Sequence, residues 1–116
     1  MYDAGVPLET GTDVLNPMVV PGFGLHEELK QFVNAGIPEI ETIRAAIIRP
    51  AEFMEEGDLW GKIAPGHRAD LVLLHANPLE DIANTQEIAG VMVKGKWLAE
   101  ASLEARVEAI AARNAE

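Results

Sequence analysis

The chain of 116 residues contains no cysteine, which excludes a disulfide framework and thiolate chemistry. Basic residues are also scarce: nine lysines and arginines stand against 19 aspartates and glutamates, which gives a net charge of −10. Because binding to nucleic acid or to an anionic membrane requires clustered lysine and arginine, we expect neither partner. Apolar runs such as Leu71–Leu74 are far shorter than a membrane span.

Two further absences bear on location and size. Residues 1–4 lack the basic and apolar regions of a signal peptide, so we expect a cytoplasmic protein. Apolar residues make up 48% of the chain and charged residues 24%, a composition typical of globular proteins. One core fits this length, whereas a complete (β/α)8 barrel needs about 250 residues.

The segment that ends at Asp13 carries the most informative pattern. Apolar Val6 and Leu8, followed by two threonines that favour extended backbone, predict a short strand over residues 5–12. Gly11 allows a sharp turn as the chain leaves this strand. Asp13 would then lie at the carboxyl end of a strand, where α/β proteins place catalytic groups. Alternatively, Asp13 caps a turn or the following helix.

The remainder of the chain predicts helices first and a small sheet afterwards. The predicted elements are a helix at 25–35 ending at Gly36, a helix starting at Pro38, strands at 60–63 and 69–75 joined by a type II turn at Pro65-Gly66, a hairpin around Lys94-Gly95, and a last helix capped by Ser102. Asp70 lies within a predicted strand, and we interpret it as structural, accepting backbone N–H groups from the Pro65-Gly66 turn region or pairing with Arg68 or Lys62.

Several segments together resemble the metal-dependent amidohydrolase superfamily. Residues 61–74, G-K-I-A-P-G-H-R-A-D-L-V-L-L, are similar to its G-x-I-x-P-G-x-x-A-D-L-V segment. Residues 5–13 resemble its last barrel strand, residues 25–29 the start of the helix after that strand, and residues 91–97 its terminal hairpin. Within the superfamily, the resemblance points to the imidazolonepropionase-like and prolidase-like branch.

The resemblance implies an α/β fold: the carboxy-terminal fragment of a (β/α)8 metal-dependent hydrolase barrel and part of the small β-sandwich. Residues 1–57 would hold the last βα unit with the helices after it, residues 58–98 part of the composite sandwich, and residues 99–116 a terminal helix. On this interpretation the chain is the final quarter of an enzyme and begins at an internal methionine.

The resemblance also implies a site. The family holds one or two divalent metals, most often zinc, with a His-x-His pair, further histidines, a lysine or acidic residue, and an aspartate after strand 8. Of these ligands the chain matches the aspartate alone, as Asp13, which would serve as metal ligand and as general base. We therefore expect the isolated fragment to bind no metal. Asn16 and His26 are candidate substrate-binding residues, although Asn-Pro is an ordinary turn signal and His26 begins a polar helix.

The implied function is hydrolysis of a carbon–nitrogen bond, in a small-molecule amide or a dipeptide, by metal-activated water. The isolated fragment is expected to be inactive. The alternative is a non-catalytic structural or binding module that has kept the family's helices and sandwich. In either case an unpaired apolar strand at 5–12 invites pairing with another chain, so we expect a homo-oligomer or association with a missing amino-terminal half.

Overall fold

The computed structural model describes residues 1–14, 16–17 and 19–115, which form three helices and one sheet. The elements are α1 (Phe23–Asn34), α2 (Glu39–Phe53), β1 (Leu71–Leu74), β2 (Ile88–Val93), β3 (Lys96–Ala99) and α3 (Glu100–Asn114), with short 3-10 turns at Tyr2–Ala4 and Ile82–Gln86. The predicted α/β class is confirmed. In the described residues, the strands all belong to the antiparallel sheet, so the assignment of residues 1–57 to a barrel stays a prediction.

The helix pair follows the predicted boundaries closely. Gly36, two residues after the end of α1, has a φ of 93°, the left-handed conformation that glycine adopts without strain. Pro38 precedes the first residue of α2, and glutamates in the first turn of that helix favour its positive end. Leu29 of α1 and Ala45 of α2 are buried, so the two helices share a small apolar core.

The sheet has the order β1-β2-β3, with both pairs antiparallel. The predicted hairpin is confirmed: Lys94 and Gly95 join β2 to β3, and their φ values of 49° and 79° are those of a type I′ turn. Gly90 pairs with Ala99 in the β2–β3 register, and it lies beneath the Trp97 ring. Strand β1 lies at the edge of the sheet.

Two predicted strands are wrong. Residues 5–12 contain no strand, because their backbone bonds to helices rather than to another strand: Thr10 N–H donates to Ala45 C=O at 3.3 Å and Gly11 N–H to Glu28 Oε1 at 2.7 Å. Residues 60–63 are also irregular: Trp60 Nε1 donates to Glu56 Oε2, and Gly61 has a left-handed φ of 88° that interrupts extended backbone.

The last helix also differs from the prediction. The N-cap of α3 is Ala99 rather than Ser102, because β3 continues directly into the helix and leaves no turn between the two elements. The carboxylate of Glu100, in the first turn, lies 2.9 Å from His75 Nε2 at the end of β1. Helix α3 packs on β2 and β3, and none of its described residues is buried.

Asp70 is structural, as predicted. Its Oδ1 atom accepts the Lys94 N–H at 2.7 Å, and its Oδ2 atom pairs with Arg68. The hydrogen bond from Lys94 lowers the pKa of the Asp70 carboxyl below its ordinary value, and the Arg68 pair acts in the same direction. The pairing with Arg68 was predicted, whereas the backbone donor comes from the hairpin turn rather than from Pro65-Gly66. That earlier turn has the predicted type II geometry, with Gly66 at φ 85°.

None of the helices in the described part of the chain is long and apolar enough to cross a membrane. Buried side chains are few. The buried residues are Leu29, Ile37, Thr42, Ala45, Ala51, Ile82 and Gly90. Large apolar side chains are exposed in every part of the fold, from Val6 to Ile110, so the molecule leaves much apolar surface in water.

Candidate functional site

The candidate site centres on the loop that carries Asp13. Asp13 is exposed and has a φ of 48°, a left-handed conformation that aspartate adopts more readily than most residues. The side-chain amide of Asn16 donates to Asp13 Oδ2 at 2.5 Å, and the Asn16 N–H donates to the Asp13 carbonyl at 3.2 Å. The structure therefore brings together two of the three predicted site residues.

Helix α1 holds this loop through Glu28, a residue that the sequence interpretation missed. Glu28 Oε1 accepts the Gly11 N–H at 2.7 Å, across 17 residues of chain. A cleft of about 400 Å³ lies beside this contact and is lined by Gly11, Thr12, Val19, Gly24, Glu27 and Glu28. The one sequence signal for this contact is an acidic residue directly before the buried Leu29, on the side of α1 that packs inward.

His26 makes its contact elsewhere. Its Nδ1 atom lies 3.0 Å from Thr85 Oγ1, in the 3-10 helix that precedes β2. The Thr85 hydroxyl donates its own hydrogen to Ile82 C=O, so His26 Nδ1 must be the donor in the first bond. Burial lowers the pKa of His26, and the nearby Lys30 ammonium lowers it further. His26 thus links α1 to the second half of the chain, and its role in substrate binding stays a prediction.

The residues present do not by themselves fit a catalytic metal. Within the described ranges, no group of three or more histidine, cysteine, aspartate or glutamate side chains lies close enough to hold one. Catalytic zinc sites use about three protein ligands and keep one open position. The other histidines are engaged in structural contacts, His67 with Gly57 C=O and His75 with Glu100. Asp13 would therefore be a single ligand, and no step of a reaction can be assigned to a metal held by this chain.

Comparison with known sequences finds enzymes that are similar to this chain. The ochratoxinase of Aspergillus niger is 36% identical over 86 residues, which cover 72% of this chain and 17% of ochratoxinase. The imidazolonepropionase of Deinococcus deserti is 33% identical over 100 residues, covering 85% of this chain and 24% of that enzyme.

The same relation holds among solved structures. A Xaa-Pro dipeptidase with methionine bound in its active site superimposes with a TM-score of 0.76 and 28% identity, over 84% of this chain and 23% of the dipeptidase. The sequence profile of the amidohydrolase family matches residues 1–98. The chain belongs to the amidohydrolase family, and it spans about a quarter or less of the length of these relatives.

Proposed function

We propose that this chain is the carboxy-terminal portion of a metal-dependent amidohydrolase that cleaves a carbon–nitrogen bond in a small amide or a dipeptide. The observation that carries the proposal is the family match over residues 1–98. By resemblance, Asp13 would take the place of the family's last aspartate. Imidazolonepropionase and a Xaa-Pro dipeptidase are among the similar proteins, which supports a substrate of this class.

Asp13 would contribute a carboxylate to a site that other polypeptide completes. The Asn16 amide holds Oδ2, whereas Oδ1 accepts no hydrogen bond from the described residues. One oxygen is thus oriented, and the other would bind a metal such as zinc or take up a proton, the two tasks assigned to this aspartate by resemblance. Residues 1–57 would carry this site-bearing loop, and residues 58–98 would form part of the family's small sandwich.

The exposed surface supports the requirement for further polypeptide. The chain has an accessible surface of 8373 Å², whereas a folded monomer of 12.5 kDa is expected to expose about 6,200 Å². Its radius of gyration is 15.6 Å, against about 13.4 Å for a compact domain of this length. The surplus exceeds the roughly 800 Å² that each partner buries in a standard interface. We therefore propose association with the missing amino-terminal part or with a second copy.

A non-catalytic module is the second candidate. It is favoured by the engagement of Asp13 with Asn16 and by the structural contacts of His26, His67 and His75 within this chain. In this case the chain would fold and bind a partner without hydrolysing any substrate.

A graft separates the two candidates. Residues 5–98 would replace the matching segment of Deinococcus deserti imidazolonepropionase, and hydrolysis of that enzyme's own substrate would be measured. We expect the graft to be active and Asp13→Asn to lower kcat by about 100-fold or more, because a positioned acid–base group contributes this much. Asp58→Asn changes an exposed carboxylate in a turn and is the matched control.

Three outcomes of the graft experiment distinguish the two candidate functions. A folded graft that loses activity with Asp13→Asn but not with Asp58→Asn supports the catalytic proposal. An active graft that is indifferent to Asp13→Asn contradicts the role of this aspartate. A graft that folds, keeps Asp13 and has no activity favours the non-catalytic module.

A further inference from the structure

Glu28 connects α1 to the backbone immediately before Asp13. The residue lies in the second turn of α1 and is half-buried, and its Oε1 atom accepts the Gly11 N–H at 2.7 Å. Hydrogen bonds to an ionised acceptor are shorter and stronger than those between neutral groups. Since Gly11 precedes Asp13 by two residues, this contact limits where the Asp13 carboxylate can lie relative to the helices.

The other tether of this segment is weaker. Thr10 N–H donates to the Ala45 carbonyl of α2 at 3.3 Å, near the upper limit for a hydrogen bond between neutral groups. Among the described residues, Glu28 is the helix residue whose side chain hydrogen-bonds the backbone of residues 6–13. The charged contact therefore restrains this part of the loop more strongly than the backbone contact does.

A glutamate at this position carries a cost that packing alone does not explain. Glu28 Oε2 has no access to solvent and no hydrogen-bond partner in the described part of the chain. A buried carboxylate oxygen without a partner destabilises the folded state, whereas an apolar side chain of similar size would not. The neighbouring Glu27 shows the ordinary alternative: it is exposed and pairs with Lys30 at 2.8 Å.

We infer that Glu28 is a positioning residue for Asp13: it fixes the Gly11–Asp13 backbone on α1 so that the Asp13 carboxylate is presented in one place. Its relevance to catalysis rests on the proposed function, but the structural part of the inference does not. The contact should therefore exist in the chain as it stands, before any further polypeptide completes the site.

Amide NMR of the 15N-labelled 116-residue chain tests the contact directly. Glu28→Leu keeps the volume and removes the acceptor, so we expect the Gly11 amide to exchange at least about tenfold faster and the signals of residues 11–13 to shift. Glu28→Gln retains an acceptor oxygen and should restore slow exchange at Gly11. Glu27→Ala is the control and should leave the exchange rate of the Gly11 amide unchanged. None of the variants should change the exchange rate of the Val91 amide in the sheet.

The graft allows a second measurement, the kcat of hydrolysis, which would not change if Glu28 had a merely structural role. Glu28→Leu should lower kcat about tenfold or more with KM little changed, and Glu28→Gln should recover most of kcat. Unchanged Gly11 exchange in Glu28→Leu overturns the inference, and so does equal loss of protection at Gly11 and Val91, which would mean general unfolding. If Glu28 variants behave as expected while Asp13→Asn stays active, the proposed function fails and the Glu28–Gly11 contact remains.

Discussion

Residues 5–12 and the β2–β3 hairpin have similar sequence signals but different structures. Both segments carry apolar and extended-favouring residues, and both are predicted strands. The hairpin forms a paired strand on each side of Lys94-Gly95, whereas residues 5–12 have no strand partner. The hairpin needs only its own residues, since a type I′ turn fixes its register. A strand of a barrel needs neighbours, and the described chain provides none next to residues 5–12.

The candidate site thus lies on a segment without regular secondary structure. The loop that carries Asp13 is tethered at Thr10 and Gly11, through Ala45 and Glu28, and the adjacent Val6 is 46% exposed. A partner that paired with this segment would bury its apolar side chains and complete the surroundings of Asp13 at the same time.

The largest expected effect is in hydrogen exchange. Amides of Val6, Leu8 and Glu9 have no hydrogen-bond acceptor among the described residues, whereas β2 is paired on both edges. We expect these amides to exchange at least about 100-fold faster than those of Val91 and Met92, because local opening costs little where the backbone is unpaired. Equal protection in the two segments would show that residues 6–13 are already paired, and would contradict the comparison.

The next effect concerns a glycine beneath an aromatic ring. A Cβ atom on Gly90 would lie 2.2 Å from Trp97 Cζ2 and 3.1 Å from the Leu98 carbonyl. Gly90→Ala should therefore lower the free energy of unfolding by about 1–3 kcal/mol, the usual cost of overpacking. Gly11→Ala is the matched control in the Asp13 loop, where a Cβ meets nothing within 4 Å, and it should change stability by less than about 0.5 kcal/mol. Urea denaturation measures both, and equal effects would contradict the prediction.

Two left-handed glycines in open space give a smaller contrast. Gly95 and Gly5 have φ values of 79° and 73°, and neither has an atom near the position of a Cβ. Alanine at Gly95 should cost about 1 kcal/mol in global unfolding, because the hairpin turn is strained in the folded state. Alanine at Gly5 meets the same local strain but should leave the urea midpoint unchanged, since its segment lies outside the cooperative core. A similar loss at both positions would place residues 1–13 inside that core.

The smallest expected effect is a pH dependence from His26. Burial and Lys30 lower the pKa of His26 in the folded state below 6.5, so folding favours the neutral ring. The stability from this group is complete above pH 6.5 and is lost as pH falls through the lowered folded value. We expect a loss of less than about 1 kcal/mol, because the ring is only partly buried and solvent screens it. Urea midpoints at pH 7.5 and pH 5 measure it, and His26→Gln should show a flatter dependence; an identical slope would contradict this origin.

The sequence predicts the local features of this fold and misses those that depend on distant contacts. The end of α1 at Gly36, the turn at Gly66 and the hairpin at Gly95 are set by a few neighbouring residues, and all three are confirmed. The bonds from Glu28 to Gly11 and from His26 to Thr85 join residues 17 and 59 positions apart, and no local pattern marks such partners.

The same reasoning applies to the candidate site. Asp13 and Asn16 are each named from the sequence as candidate site residues, but the hydrogen bond between them is found only in the structure. Extended backbone at residues 5–12 was predicted as a strand because the pattern presumes partners that the chain itself does not provide. If further polypeptide pairs with that segment, as proposed, the predicted strand would form there.

Hydrolysis by the purified 116-residue chain, and the metal it retains, test most directly whether other polypeptide is needed to complete the site. Xaa-Pro dipeptides and simple amides would be supplied with added Zn²⁺, and metal retained after gel filtration would be counted against protein. We predict no turnover and no stoichiometric metal, because Asp13 alone cannot hold one. Turnover of an amide by the chain with one tightly bound metal ion per molecule would contradict the claim that other polypeptide completes the site.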